Sequence, residues 1–115
     1  MKSAAFEWKH IPATPTRVGA VRKFFRMPTP LLAELECHVT TLNPGESPHP
    51  PHQHRAEEIL ILKEGKLRVQ LINELQEIGE GSVVFVASNE LHGWTNVSDV
   101  PATYHVIQWQ TKSNE

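Results

Sequence analysis

Apolar and polar side chains alternate with a period of two through residues 31–42. Ala33, Leu35, Cys37, Val39 and Thr41 share one side, and Glu34, Glu36, His38 and Thr40 share the other. That alternation predicts a half-buried β-strand and turns His38, with its two glutamates, toward solvent. The same kind of segment recurs along the chain, separated by turn signals every eight to twelve residues. RKFFRM (22–27) stops at Pro28-Thr29-Pro30, and Asn43-Pro44-Gly45 closes the 31–42 strand. EILILKEGKLRVQLI (58–72) predicts two strands joined at Glu64-Gly65, with a shorter strand after a turn at Asn73-Glu74. Gly79-Glu80-Gly81 introduces SVVFVA (82–87), and Ser88-Asn89-Glu90 leads into HGWTN (92–96). ATYHVIQWQ (102–110) ends the series. Its two sides are Thr103, His105, Ile107 and Trp109 against Tyr104, Val106 and Gln108, and alternation alone does not say which faces inward. No stretch of eleven residues has helical period. The pattern predicts an all-β chain of short antiparallel strands, a sandwich or small barrel.

Composition narrows this picture. At 115 residues the chain is the size of one domain with one core, and 39% hydrophobic with 21% charged residues suits a globular protein. A net charge of −2 gives no electrostatic case for nucleic acid or an anionic membrane as partner. Cys37 is the single cysteine, so there is no internal disulfide and no multi-cysteine zinc site. The N-terminal segment lacks the apolar region of a secretory signal, and a cytoplasmic location is expected. Residues 1–20, with Pro12, Pro15 and Gly19, are expected to form an extended arm, residues 21–112 one barrel domain, and residues 113–115 a tail.

Chemistry concentrates in residues 47–58, SPHPPHQHRAEE. His52 and His54 are two apart, so on extended chain they project to one side about 7 Å apart, a span two imidazoles can close around one ion. Glu58 has the same parity but would lie about 20 Å from His52 on a straight strand. It reaches the same ion only if Arg55-Ala56-Glu57 turns the chain. His92, after the turn at residues 88–90, adds a fourth donor. Three imidazoles and a carboxylate suit one divalent transition metal (Fe, Mn, Ni, Zn, Co or Cu) and leave positions open to a ligand. Glu57 has the opposite parity and is expected to point outward, remaining the alternative carboxylate; His49 is expected to be a solvated bystander.

These residues resemble the two motifs of the cupin superfamily, G-x5-H-x-H-x3,4-E-x6-G and G-x5-P-x-G-x2-H-x3-N. Gly45, His52, His54, Glu58 and Gly65 follow the first; Gly81, His92 and Asn96 follow the second, with fifteen residues between Gly65 and Gly81. The chain departs from the pattern in having six residues between Gly45 and His52, Ala87 where proline is usual, and Asn89 where glycine is usual. Asparagine tolerates positive φ better than other side chains, so the last turn survives. The resemblance implies a jelly-roll barrel, with His52, His54, Glu58 and His92 as the metal ligands, and a homodimer in which Phe24 and Phe25 either pack in the core or meet a second subunit.

It also implies a small polar molecule as ligand or substrate. A metal-dependent dioxygenase, isomerase or lyase is one reading; a binding module for a sugar or small carboxylate, with a structural metal, is the other. Trp94, of the same parity as His92, and His105 are candidates for the substrate pocket; for each, ordinary packing is the alternative. Asn96 is expected to hold a turn. No residue is assigned as a catalytic acid or base, which favours chemistry performed by the metal itself.

Overall fold

The computed structural model describes residues 1–113; Asn114 and Glu115, the end of the expected tail, lie outside the described residues. Nine strands form two antiparallel sheets, with no α-helix among the described residues. They are β1 (Thr14–Thr16), β2 (Gly19–Met27), β3 (Leu32–Leu42), β4 (Glu57–Glu64), β5 (Leu67–Leu71), β6 (Glu74–Ile78), β7 (Val83–Val86), β8 (His92–Asn96) and β9 (Ala102–Thr111). The larger sheet has the order β1-β2-β3-β9-β4-β7 and the smaller β6-β5-β8. The chain forms the all-β fold expected from the alternation, as the jelly-roll barrel that the motif resemblance implies.

The core lies between the sheets. Leu60 and Leu62 of β4, Tyr104 and Val106 of β9, and Val84 and Val86 of β7 meet Leu67 and Val69 of β5 and Trp94 of β8. Alternation therefore resolves on β9 with Tyr104 and Val106 inward, and with His105, Ile107 and Trp109 on the outer face. The long strands β3 and β9 run past the short strands of the smaller sheet, so their inner faces change from apolar to polar at Glu36, His38 and Gln108.

Three local expectations need correction. Residues 1–20, expected as an extended arm, are not extended throughout. A 3₁₀ turn at Trp8–His10 and β1 pack back onto the larger sheet, Val18 belongs to the core, and position 20 falls inside β2. Trp8 stacks near Phe24 and His105, and the Arg22 guanidinium lies 4.5 Å from its ring centre while also donating to the Ile11 carbonyl. Second, the β5–β6 turn sits at Ile72-Asn73, one residue early, with Ile72 at φ 59°. A β-branched residue is the least expected there, which is why the asparagine misled. Third, His38 is not turned to solvent; it lies on the inner face of β3.

Gly65 links β4 to β5 at φ +92°, and an added Cβ would meet the Ala102 Cα at 2.7 Å. Gly65→Ala therefore combines a disfavoured backbone region with a clash against backbone. It is expected to destabilise by about 2 kcal/mol or more, read as a lower midpoint of urea unfolding.

Candidate metal centre

The loop between β3 and β4 brings His52 and His54 to the barrel mouth. His52 is anchored by a two-way backbone pairing with His92, His52 N to His92 O at 3.0 Å and His92 N to His52 O at 2.9 Å. Pro51 packs over Gly93, where a Cβ would come within 3.2 Å of it. The chain then bends at Arg55-Ala56, and Glu57 already belongs to β4. Asn89 N donates to the His54 carbonyl at 2.7 Å, and Ser88 Oγ donates to the Arg55 carbonyl at 2.6 Å. Asn89 itself has φ 64°, the conformation expected where glycine is usual. The bend thus lets Glu58, at the buried start of β4, face the same point as the two histidines.

Around that point the three imidazoles are nearly equidistant. Ring centres are 5.0 Å apart for His52–His54 and 4.8 Å for both His52–His92 and His54–His92. One nitrogen from each lies within 4.8 Å of the others, a cluster compatible with a metal site. Glu58 Oε1 lies 2.9 Å from His54 Nε2 and 3.4 Å from His92 Nε2. At a metal–ligand distance of about 2.1 Å, neighbouring ligand atoms are about 3.0 Å apart in an octahedral and about 3.4 Å apart in a tetrahedral sphere.

The tautomers fit as well. His54 Nδ1 lies 2.9 Å from the Ala56 carbonyl and His92 Nδ1 lies 2.9 Å from the Glu90 carbonyl. A carbonyl only accepts, so each Nδ1 carries the hydrogen, and in the neutral ring that leaves the lone pair on Nε2. Both Nε2 atoms are buried, and despite their closeness to Glu58 neither has an aligned hydrogen-bond partner. Two lone pairs and a carboxylate oxygen facing one another call for a positive charge between them. Burial opposes charging His92, yet contact with Glu58 and the Glu90 carbonyl outweighs it and raises its pKa. Burial, together with the neighbouring His49, His92 and His54, brings His52 down to about 4, against the pull of Glu58. His52 is therefore neutral at neutral pH, the state a ligand requires.

The cluster opens onto a cavity of about 340 Å3, whose other walls include His38, His49, Trp94, Tyr104 and Gln108. Trp94 thus lines the cavity and also packs in the core, its Nε1 donating to the Tyr104 hydroxyl at 2.9 Å. His105 is not part of it. It lies on the outer face of β9, against Trp8 and Phe24 at 6.1 and 6.4 Å, because odd positions of that strand point away from the smaller sheet. His49 stacks on His52 at 3.7 Å between ring centres rather than standing free in solvent. Glu57 points outward and accepts from Trp109 Nε1 at 3.2 Å. Asn96 is fully buried and hydrogen-bonds the turn after β8. The sequence pattern turns His38 toward solvent and gives Tyr104 and Gln108 no place in the pocket; for these two the even-numbered register of β9 is the signal, once its inner side is known.

An antiparallel jelly-roll barrel with a histidine cluster at its mouth defines a cupin-type protein. A sequence profile described as Cupin domain matches residues 38–108, and the chain belongs to the cupin superfamily. No curated protein sequence matches the chain. Among solved structures, a polyketide cyclase from Streptomyces resistomycificus superposes with a TM-score of 0.74 at 20% identity, covering 94% of this chain and 80% of that one. A deletion mutant of Bacillus subtilis oxalate decarboxylase gives 0.75 at 18%, covering 96% of this chain and 30% of that one. The Cupin_2 domain of an XRE family transcriptional regulator from Enterobacter cloacae gives 0.68 at 20%, covering 80% and 96%. At these identities the likeness is one of fold.

Proposed function

We propose that the chain is a metal-dependent enzyme of the dioxygenase, isomerase or lyase type, acting on a small polar, oxygen-rich molecule. His52, His54, Glu58 and His92 hold one divalent transition metal in this reading. The observation that carries it is the pair of buried, hydrogen-bond-free Nε2 lone pairs facing the Glu58 carboxylate. A bound cation supplies Lewis acidity toward ligand oxygens at such a site. The protein's own part is to fix the ligand tautomers through the Ala56 and Glu90 carbonyls. It also walls the ligand with Trp94 and Tyr104, and burial keeps the Tyr104 hydroxyl protonated by raising its pKa. That both an oxalate decarboxylase and a polyketide cyclase share the fold supports an enzymatic use of the cavity.

The test is a panel of catechols, thiols and keto acids offered to the metal-loaded protein, following oxygen uptake and substrate loss. Turnover of one class supports the enzyme. Tight binding of a panel member without turnover favours the second reading, a binding module with a structural metal, to which the regulator-derived neighbour lends support.

The proposal includes a homodimer. Ile59-Leu60-Ile61-Leu62 and Val83-Val84-Phe85-Val86 are continuous apolar runs, the pattern of strands covered on both faces. Their outer residues remain exposed in the single chain, Phe85 at 52% and Val83 at 61%. Sedimentation is expected to give the mass of two chains, and Val83→Lys with Phe85→Lys the mass of one. A wild-type monomer at micromolar concentration contradicts this.

A further inference from the structure

Metal ligation leaves three titratable groups of the cavity unused, His38, His49 and Tyr104, and of these His38 is the one paired with a carboxylate. Its Nδ1 lies 2.6 Å from Glu36 Oε2, and the two side chains are 22% and 17% exposed. His38 and Gln108 line both the 340 Å3 cavity and an adjoining one of about 440 Å3, so the imidazole stands where the two meet. With Nδ1 taken by a carboxylate, Nε2 is the nitrogen left for a bound molecule. An imidazole oriented by a carboxylate, beside but outside a candidate cation site, has the parts of a general base.

We infer that His38, positioned by Glu36, accepts a proton from the molecule bound at the metal centre. The inference rests on the metal reading of His52, His54, Glu58 and His92. It narrows the substrate to molecules with an acidic hydroxyl or α-carbon proton next to an oxygen that binds a cation. The lone pair on Nε2 takes that proton, and the electron pair of the broken O–H or C–H bond stays on the substrate. Glu36 stabilises the imidazolium through Nδ1–H. Return of the same proton to a different substrate atom completes an isomerisation, with no oxidant consumed. The charged and titratable groups around His38 are Glu36 on its own strand, Lys23 opposite it on β2, Glu58 on β4, Tyr104 on β9, and His49, His52 and His54 of the loop, with the Arg26–Glu34 pair on the wall of the adjoining cavity. Glu58, His52 and His54 are assigned to the metal, and burial keeps the Tyr104 hydroxyl protonated. His49 is the remaining competitor.

The probe is acetohydroxamic acid, a neutral chelator that loses its hydroxyl proton on binding a cation. It is titrated into the Co(II)-loaded protein by calorimetry at neutral pH, in two buffers of different ionisation enthalpy, to count protons released. The wild type is expected to keep the proton, releasing little to buffer. His38→Asn is expected to release close to one proton per chain, and Glu36→Gln an intermediate amount. Co(II) affinity is expected to stay within threefold in both variants, since neither residue is a ligand. A purely structural role for His38 would not move the proton count. Equal release from the wild type and both variants overturns the inference while leaving the metal centre standing, and so does His49→Ala reproducing the His38→Asn result. Failure of the wild type to bind Co(II) overturns both.

Discussion

His92→Ala is expected to lower the affinity for Zn(II) or Co(II) by more than about 100-fold, measured by competition with a chromophoric chelator. Changing residues that merely orient a ligand typically weakens binding by about 10- to 100-fold, so removing a ligand sets a larger expectation. His92 is the most firmly held of the four. It is 0% exposed, pinned through its backbone to His52, and fixed in tautomer by the Glu90 carbonyl. Because alanine leaves a void at a buried position, His92→Gln serves as the better-packed companion and is expected to lose affinity similarly. Glu57→Gln separates the two carboxylates. Its side chain meets Trp109 on the outer face, so affinity within threefold of wild type is expected, whereas Glu58→Gln should behave like a ligand loss. Near-normal affinity in His92→Gln would remove it from the metal centre.

Asn96→Ala is expected to destabilise the fold by about 3 kcal/mol, lowering Tm by roughly 10–20 °C. The Asn96 Nδ2 donates to the Leu42 carbonyl at 3.0 Å and the Val100 carbonyl at 2.8 Å. Its Oδ1 accepts from Ser98 N at 3.0 Å and Ser98 Oγ at 2.8 Å. Alanine leaves these groups without their partner, and Leu42 is wholly buried, so water cannot replace the bond to its carbonyl. Asn96→Asp is expected to do as badly, since a carboxylate donates to neither carbonyl and adds a buried charge. Thermal unfolding that follows ellipticity decides this, with a fall under 5 °C in both variants arguing against the network. The residue matches the last position of the second motif, and its role here is to tie the β8–β9 turn to the end of β3.

The elements that alternation and turn chemistry specify locally were legible in the sequence: the strands from β2 onward and the Asn89 turn. The bend expected over Arg55-Ala56-Glu57 followed from Glu58 having to reach the histidines, and it is confined to Arg55-Ala56. What escaped depends on which sheet covers which face. β9 carries apolar residues on both sides, so only the packing of Tyr104 and Val106 against the smaller sheet shows that His105 points away. His38 shares parity with two glutamates and therefore resembled an exposed residue. It faces inward because β3 outruns the smaller sheet, and charged groups can line the uncovered end of an inner face. His49 was set aside for lying off the motif, and its stacking on His52 follows from loop geometry that no local pattern encodes. The three histidines cluster, and Glu58 Oε1 lies 2.9 Å from His54 Nε2 and 3.4 Å from His92 Nε2.

If these four side chains hold one transition metal, the purified protein carries it. Protein purified without an affinity tag is analysed by inductively coupled plasma mass spectrometry, alongside His52→Ala/His92→Ala prepared in the same way. The expected result is close to one transition-metal ion per chain in the wild type and essentially none in the double variant, with both folded by circular dichroism. A metal-free wild type after growth in metal-supplemented medium, or full occupancy in the double variant, would contradict the assignment.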